Sequence, residues 1–400
     1  MEKLIGNLLY GQSGGPTSII NTSAYGIFIE AFKHKNIINS IYAMNYGIQG
    51  LLDDKLIKIL DNDTLLKNLL NTPGSAFGSN RFKLKSFDED PLTYKKILEI
   101  FKKYNIRYFF YNGGNDSMDT INKISTYLEK ENYKCNCIGI IKTIDNDLPS
   151  TDFSLGYPSA AKFIINAALE IYLDDISYKE GRVNIIETMG RNAGWLAASA
   201  KLLEVRGVKA DLIYVPEVLF DLNDFLNKVE EIYNKKKHAL IIISEGLKNN
   251  EGSFIFETNS LLDSFGHNQL GGLSIKLANL ITSKLGIKTR YYELSLLQRA
   301  NSICNSKIEQ KIAIRLSKFA VKSAINGVNK KIVVVNRISS NPFKYNFKLV
   351  DINDIANKER YLDDIYINKE NNYINDNFIE YLLPLIDGEK GLLNIYKINK

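Results

Sequence analysis

The chain has 400 residues, 45% of them hydrophobic and 24% charged, which excludes a single small binding module and calls for a core divided between at least two domains. Its 51 Lys and Arg against 45 Asp and Glu leave a charge of +6 with no long cationic block, a balance that suits anionic small molecules and argues against nucleic acid as a partner. Three cysteines exclude a disulfide framework; without a leader-like start or a run of 18 apolar residues, the expectation is a cytoplasmic chain with no membrane partner.

Short apolar, β-rich runs alternate with segments of helical period, the pattern of βαβ units around a parallel sheet. Ile5 to Tyr10 predicts a strand, the loop Gly11 to Thr17 follows, and Ser18 to Phe32 has helical length and spacing. Ile106 to Tyr111 is a second strand, closed by a Gly-rich turn before the helix Ser117 to Lys130, and Cys137 to Ile141 is a third. A second group runs strand Val183 to Glu187, helix Ala193 to Leu203, strand Leu212 to Val215, helix Leu222 to Lys235, strand Ala239 to Ser244 and helix Leu270 to Leu285. The long helix Glu309 to Asn326 and the strand Ile332 to Val335 come after it. These alternations predict an α/β fold of two Rossmann-like three-layer domains with mostly parallel sheets, divided at the polar loop Pro149 to Pro158. The expected organisation is residues 1–155, residues 156–297, a return to the first domain over 298–345 and a C-terminal extension over 346–400.

Every chemically informative motif follows a predicted strand, where the carboxyl ends of a parallel sheet build ligand sites. Gly11-Gln12-Ser13-Gly14-Gly15-Pro16-Thr17 is a glycine loop whose backbone N–H groups and following helix suit a phosphate, although a plain tight turn has the same composition. Asn112-Gly113-Gly114-Asn115-Asp116-Ser117 reads either as a turn with a helix cap or as a loop that sets Asp116 against a phosphate chain. Lys142-Thr143-Ile144-Asp145-Asn146-Asp147 places two carboxylates on one face of an extended chain, beside a cation and a hydroxyl. That set suits proton abstraction from an alcohol with metal or phosphate handling. Arg191 after Met189-Gly190, Arg182 before that strand, Arg290, Arg299 and Arg81 all stand at strand or loop ends, where a guanidinium grips phosphate oxygens with two prongs. Glu245 closes another apolar strand, as a sugar-hydroxyl acceptor, an N-cap or an arginine's partner. The histidines His34, His238 and His267 have no metal spacing.

Together, in this order from about Leu8 to Arg337 with weaker echoes to Gly388, these residues resemble the 6-phosphofructokinase family, and more closely its pyrophosphate-dependent branch. The resemblance implies a phosphoryl donor on one domain, fructose 6-phosphate on the other, Mg2+ as cofactor and a homo-oligomer, dimer or tetramer. It implies Asp145 as the base for the sugar's 1-hydroxyl, with Lys142 and Asp116 beside it, and Thr143 and Ile144 among the substrate contacts. Met189, Gly190, Arg191 and Glu245 match substrate contacts, Arg290 and Arg299 match cations on the 6-phosphate, and Arg182 matches an arginine lent by a neighbouring subunit. Gly14, Gly15, Gly114 and Arg81 match the donor site; Asn115 and Asp147 match metal-contact positions, Asn115 standing where many members have Asp. ATP-using members carry Gly where this chain has Asp116 and Lys142, so the resemblance favours pyrophosphate: Asp116 would occupy and repel the place of a nucleotide's α-phosphate, and Lys142 would stabilise the transferring group. Leu296 replaces a substrate-binding His of ATP-using relatives, and Ile141 a usual Pro. An ATP-dependent member, a catalytically silent regulatory paralogue and, more remotely, a lipid or NAD kinase are the competing readings.

Overall fold

Two sheets organise the chain, each within its own unit: Met1–Gly156 with Arg299–Glu359, and Tyr157–Gln298 with Arg360–Lys400. The computed structural model describes residues 3–256 and 270–386. The first unit contributes β1 (Gly6–Gln12), β2 (Ile38–Met44), β3 (Leu56–Ile59), β4 (Ile106–Gly113), β5 (Asn136–Thr143) and β6 (Leu155–Gly156). The second contributes β7 (Val183–Thr188), β8 (Leu212–Tyr214), β9 (Ala239–Ser244) and β10 (Thr289–Glu293). The chain then returns for β11 (Lys331–Ser340) and β12 (Phe343–Asp351), and ends its described strands with the short pair β13 (Ile367–Asn368) and β14 (Tyr373–Ile374).

In the first unit the strand order is β12-β11-β5-β4-β1-β2-β3, with β6 on β5. Only β3 and β12, at the two ends of that row, run antiparallel to their neighbours. The central strands are buried along almost their whole length, as strands covered on both faces must be, which is why they read as continuous apolar runs. The helix Ser18–Ala31 starts on Thr17, whose hydroxyl accepts from the Ile20 N–H, and lies against the helix Lys307–Ile325. A Cβ on Gly26 would meet Ser317 Cβ at 2.8 Å, so the two helices approach only because that position carries no side chain.

The second unit has an all-parallel sheet in the order β10-β7-β9-β8. Its apolar core joins Ile185, Ile241 and Ile243 of the strands to Phe225, Leu277 and Ile281 of the helices Leu222–Lys236 and Leu273–Leu285. Three features depart from the sequence reading. The helix Tyr157–Asp175 begins inside the stretch read as a boundary loop, because Pro158 sits in its first turn, where a missing N–H costs nothing. The helix after β7 lasts only Trp195–Ala198 before tightening into a 3-10 helix, Ser199–Arg206, that ends on Gly207 at φ 79. The segment beyond 345 is not one extension: β12 completes the first sheet, whereas Tyr366, Phe378 and Tyr381 pack on Trp195 in the second unit. Gly388 lies outside the described residues.

Candidate active site

The order β5-β4-β1 sets the carboxyl ends of three buried strands side by side, with Gln12 level with Asn112 and Gly113 level with Ile141. Each end carries one motif of the first unit. After β1 the backbone turns at Gly14, φ 77, and the Ser79 hydroxyl donates to the Gly14 carbonyl at 2.6 Å. From the end of β5, Lys142 reaches across so that its Nζ donates to the Gly15 carbonyl at 2.7 Å, with the side chain only 2% exposed. A Cβ on Gly14 would stand 3.2 Å from that Nζ, and one on Gly15 would stand 2.8 Å from Arg299 Nη1. Both glycines therefore make room for cations, and the loop draws Lys142 and Arg299 onto one turn.

Burial, then the neighbouring charge of Arg299, pulls the Lys142 ammonium down to a pKa of about 7, with Arg81 acting in the same direction. Burial raises the Asp145 carboxyl, against the opposing pull of Arg299, Lys142 and Arg81. Burial and then the charge of Asp145 push Asp147 up to about 7. Asn146 takes the left-handed conformation between them, φ 55, and its Oδ1 accepts from the Ser154 N–H at 2.9 Å, which fixes the turn that carries both carboxylates. The Thr143 hydroxyl accepts from the Asp145 N–H at 3.2 Å. Two carboxyls that resist ionisation beside three cations form a site prepared for a polyanion with a counter-cation.

In the second unit, β7 ends into Met189, Gly190 and Arg191, and the adjacent β9 ends into Glu245. The Gly190 N–H donates to Glu245 Oε1 at 3.4 Å, and the Ser244 hydroxyl donates to the Gly190 carbonyl at 2.6 Å. Gly190 is held at φ 129, where a Cβ would stand 2.7 Å from the Ala193 carbonyl oxygen. The Met189 N–H donates to Gln298 Oε1 at 3.2 Å. Parallel alternation thus repeats in this unit the arrangement seen in the first, with motif residues gathered at carboxyl ends.

The family model for phosphofructokinase matches residues 7–324. The chain belongs to the phosphofructokinase family. It is 37% identical over 404 residues to the pyrophosphate–fructose 6-phosphate 1-phosphotransferase of Halomonas elongata, covering 98% of this chain and 96% of that one. To the enzyme of the same name from Xanthomonas campestris it is 38% identical over 391 residues, 97% of this chain and 93% of the other. The solved structure of a pyrophosphate-dependent phosphofructokinase from Marinobacter aquaeolei superposes with a TM-score of 0.86 at 34% identity, covering 96% of this chain and 92% of that one.

Within this phosphofructokinase chain the structure brings together Gly14, Gly15, Arg81, Lys142, Asp145, Asp147 and Arg299 in the first unit. Arg299, paired in the sequence reading with Arg290, belongs to that set. Gly114, beside the Lys142 carbonyl, caps the helix Asn115–Lys130, and Asp116 lies in its first turn, where the helix dipole favours a carboxylate. Asn115 Nδ2 donates to the Lys358 carbonyl at 2.9 Å and its Oδ1 accepts from the Asn357 N–H, which ties the helix start to a loop. The Ile144 side chain is buried in packing near Gly156.

Arg290 is also displaced from the sequence expectation. It sits level with Asn184 at the amino end of β10, and it shares the surroundings of the Tyr292 hydroxyl with Arg182. Both arginines are thus at the amino end of the sheet, opposite Gly190, and Arg182 Nε donates to Asp175 Oδ1 at 3.0 Å, with His238 Nδ1 2.7 Å from Asp175 Oδ2. Sequence reasoning missed Ser79, Ser244, Gln298 and Glu217, single polar residues outside the motifs whose side chains bond the backbone of Gly14, Gly190, Met189 and Gly194. Among the described residues no helix is long and apolar enough to cross a membrane. His267 lies outside the described residues.

Proposed function

We propose that the protein reversibly transfers a phosphoryl group from pyrophosphate to the 1-hydroxyl of fructose 6-phosphate, yielding fructose 1,6-bisphosphate and phosphate. The observation that carries this reading is Lys142 drawn onto the Gly15 carbonyl among Arg81, Arg299, Asp145 and Asp147. Relatives that share nearly the whole length of the chain and bear the name of this activity support it. Asp145 accepts the proton of the 1-hydroxyl as that oxygen attacks the terminal phosphorus, and phosphate leaves on the far side. A base with a raised pKa matches a neutral operating range. Lys142 and Arg299 stabilise the charge that spreads over the transferring oxygens, because their donors are already in place and need no reorganisation.

Magnesium is bound through one or two carboxylates plus phosphates and water rather than by a full protein cage. Asp147 beside Asp145 supplies that partial set, and their raised carboxyls would be relieved by a cation. When bound, magnesium neutralises and orients the pyrophosphate oxygens. Met189, Gly190, Arg191 and Glu245 hold the sugar phosphate. Arg182 and Arg290, at the other end of the sheet, serve the corresponding pocket of a second copy, so the working form is a homo-oligomer. The driving forces of pyrophosphate hydrolysis and sugar phosphorylation are similar, so the enzyme works in both directions.

Steady-state kinetics with fructose 6-phosphate, magnesium and either pyrophosphate or ATP test the donor. Turnover with pyrophosphate and none with ATP is the expected result. The reverse outcome would overturn the roles given to Asp116 and Lys142.

A further inference from the structure

We propose that Glu217 is a positioning residue for the sugar phosphate half of the reaction, holding the turn that follows Arg191 and fastening the C-terminal segment to it. The inference rests on the proposed role of Met189, Gly190 and Arg191. Glu217 follows β8, and its Oε1 accepts the Gly194 N–H at 2.9 Å and the Leu362 N–H at 2.8 Å. One oxygen therefore joins two stretches of backbone 168 residues apart, Gly194 and Leu362. A charge-assisted pair of this kind is among the stronger hydrogen bonds a protein makes.

The approach is close. A Cβ on Gly194 would fall 2.4 Å from Val215 Cβ and 2.8 Å from Glu217 Oε2, so the turn can lie on Glu217 only as glycine. Burial raises the Glu217 carboxyl and the two N–H groups pull it back, the balance expected of an acid kept for its hydrogen bonds. On the upstream side the same turn is pinned by Gln298 at Met189 and by Ser244 at Gly190. Glu217 supplies the downstream pin at Gly194, so Arg191 is carried on a short span held at both ends.

The C-terminal segment reaches that span twice. Besides Leu362, the Arg360 guanidinium stacks 4.6 Å from the Trp195 ring, next in sequence to Gly194, and Tyr366, Phe378 and Tyr381 close around the same indole. Glu217 is the polar anchor of this contact and the aromatic residues are its apolar body.

The test compares full-length wild type, Glu217→Ala, Glu217→Asp and Glu217→Gln, each with a thermal melt and with KM measured separately for fructose 6-phosphate and pyrophosphate. Ala removes the acceptor, Asp withdraws it by one methylene, and Gln keeps a carbonyl oxygen that can take both N–H groups. The expected result is a KM for fructose 6-phosphate raised about 10-fold in Ala or Asp, with that for pyrophosphate within about twofold and Gln restoring most of the loss. Should Ala fail to fold, Asp and Gln carry the comparison. An unchanged KM for fructose 6-phosphate in a folded Ala or Asp variant, an equal rise for both substrates, or a Gln variant no better than Ala would each overturn the proposal. A wild type that does not turn over fructose 6-phosphate would instead remove the functional reading beneath it.

Discussion

Asp145 and Asp147 stand two residues apart beside a buried lysine, and burial raises both carboxyls above the ordinary carboxylate range. Replacing the base, Asp145→Ala, is expected to lower kcat by about 10²–10⁴-fold with the fold retained in a thermal melt, since a positioned base contributes that much to the rate. A kcat within threefold of wild type would rule out the proton transfer assigned to it. Asp147 ionises near 3.8 in an unfolded chain and at about 7 in the fold, so between those values the folded state retains a proton the unfolded state has lost. The stability it contributes is present below pH 4 and is lost as pH rises towards 7. Lys142 behaves oppositely: its cost to the fold is full below about 7 and is relieved as pH climbs to its ordinary 10.5. Asp147→Asn should therefore raise the melting temperature of the free protein by about 1–3 °C at pH 8 and leave it unchanged at pH 4. The same variant should lose activity, the trade expected where a site is held charged for a ligand. A melting temperature unchanged or lowered at pH 8 would contradict the assignment.

At the scale of elements, the proposed function hangs on the turns that leave β1, β5, β7 and β9. The sequence made these turns visible because each joins an apolar run to a polar or glycine cluster, and the strand Ala239–Ser244 is found with the bounds its apolar run predicts. The supports of the turns were not visible. Ser244, Gln298 and Glu217 belong to no pattern, and what they do depends on a backbone group brought to them from elsewhere in the chain. Gly190 shows the cost of such a turn. With φ at 129 and the Ala193 carbonyl oxygen 2.7 Å from a would-be Cβ, Gly190→Ala should destabilise the protein by about 1–3 kcal/mol. The midpoint of urea unfolding measures this, and an unshifted midpoint would show that the turn relaxes freely. Helix Tyr157–Asp175 was hidden for a different reason: its first turn carries Pro158, the end of the stretch read as a polar loop, although a helix tolerates proline there.

At the scale of the whole molecule, neither unit is a continuous piece of chain. A fragment ending at Gly156 would keep β1 to β6 but leave β5 without β11 and the helix Ser18–Ala31 without its partner Lys307–Ile325. Such a fragment is expected to show no cooperative thermal transition in calorimetry, because it exposes an apolar central strand edge and an almost wholly buried helix. A sharp transition would mean that the returning segment is dispensable. By itself the sequence determined the α/β class and the residues of the glycine and carboxylate motifs, because hydrophobic period and turn chemistry are local and survive in one dimension. Tertiary structure alone decided that Arg299 joins Lys142 at Gly15, that Arg290 stands with Arg182, and that the Asn115 amide meets the Lys358 carbonyl. Those outcomes follow from strand order, strand direction and register, which are set by pairings between distant residues and leave no mark on the residues nearby.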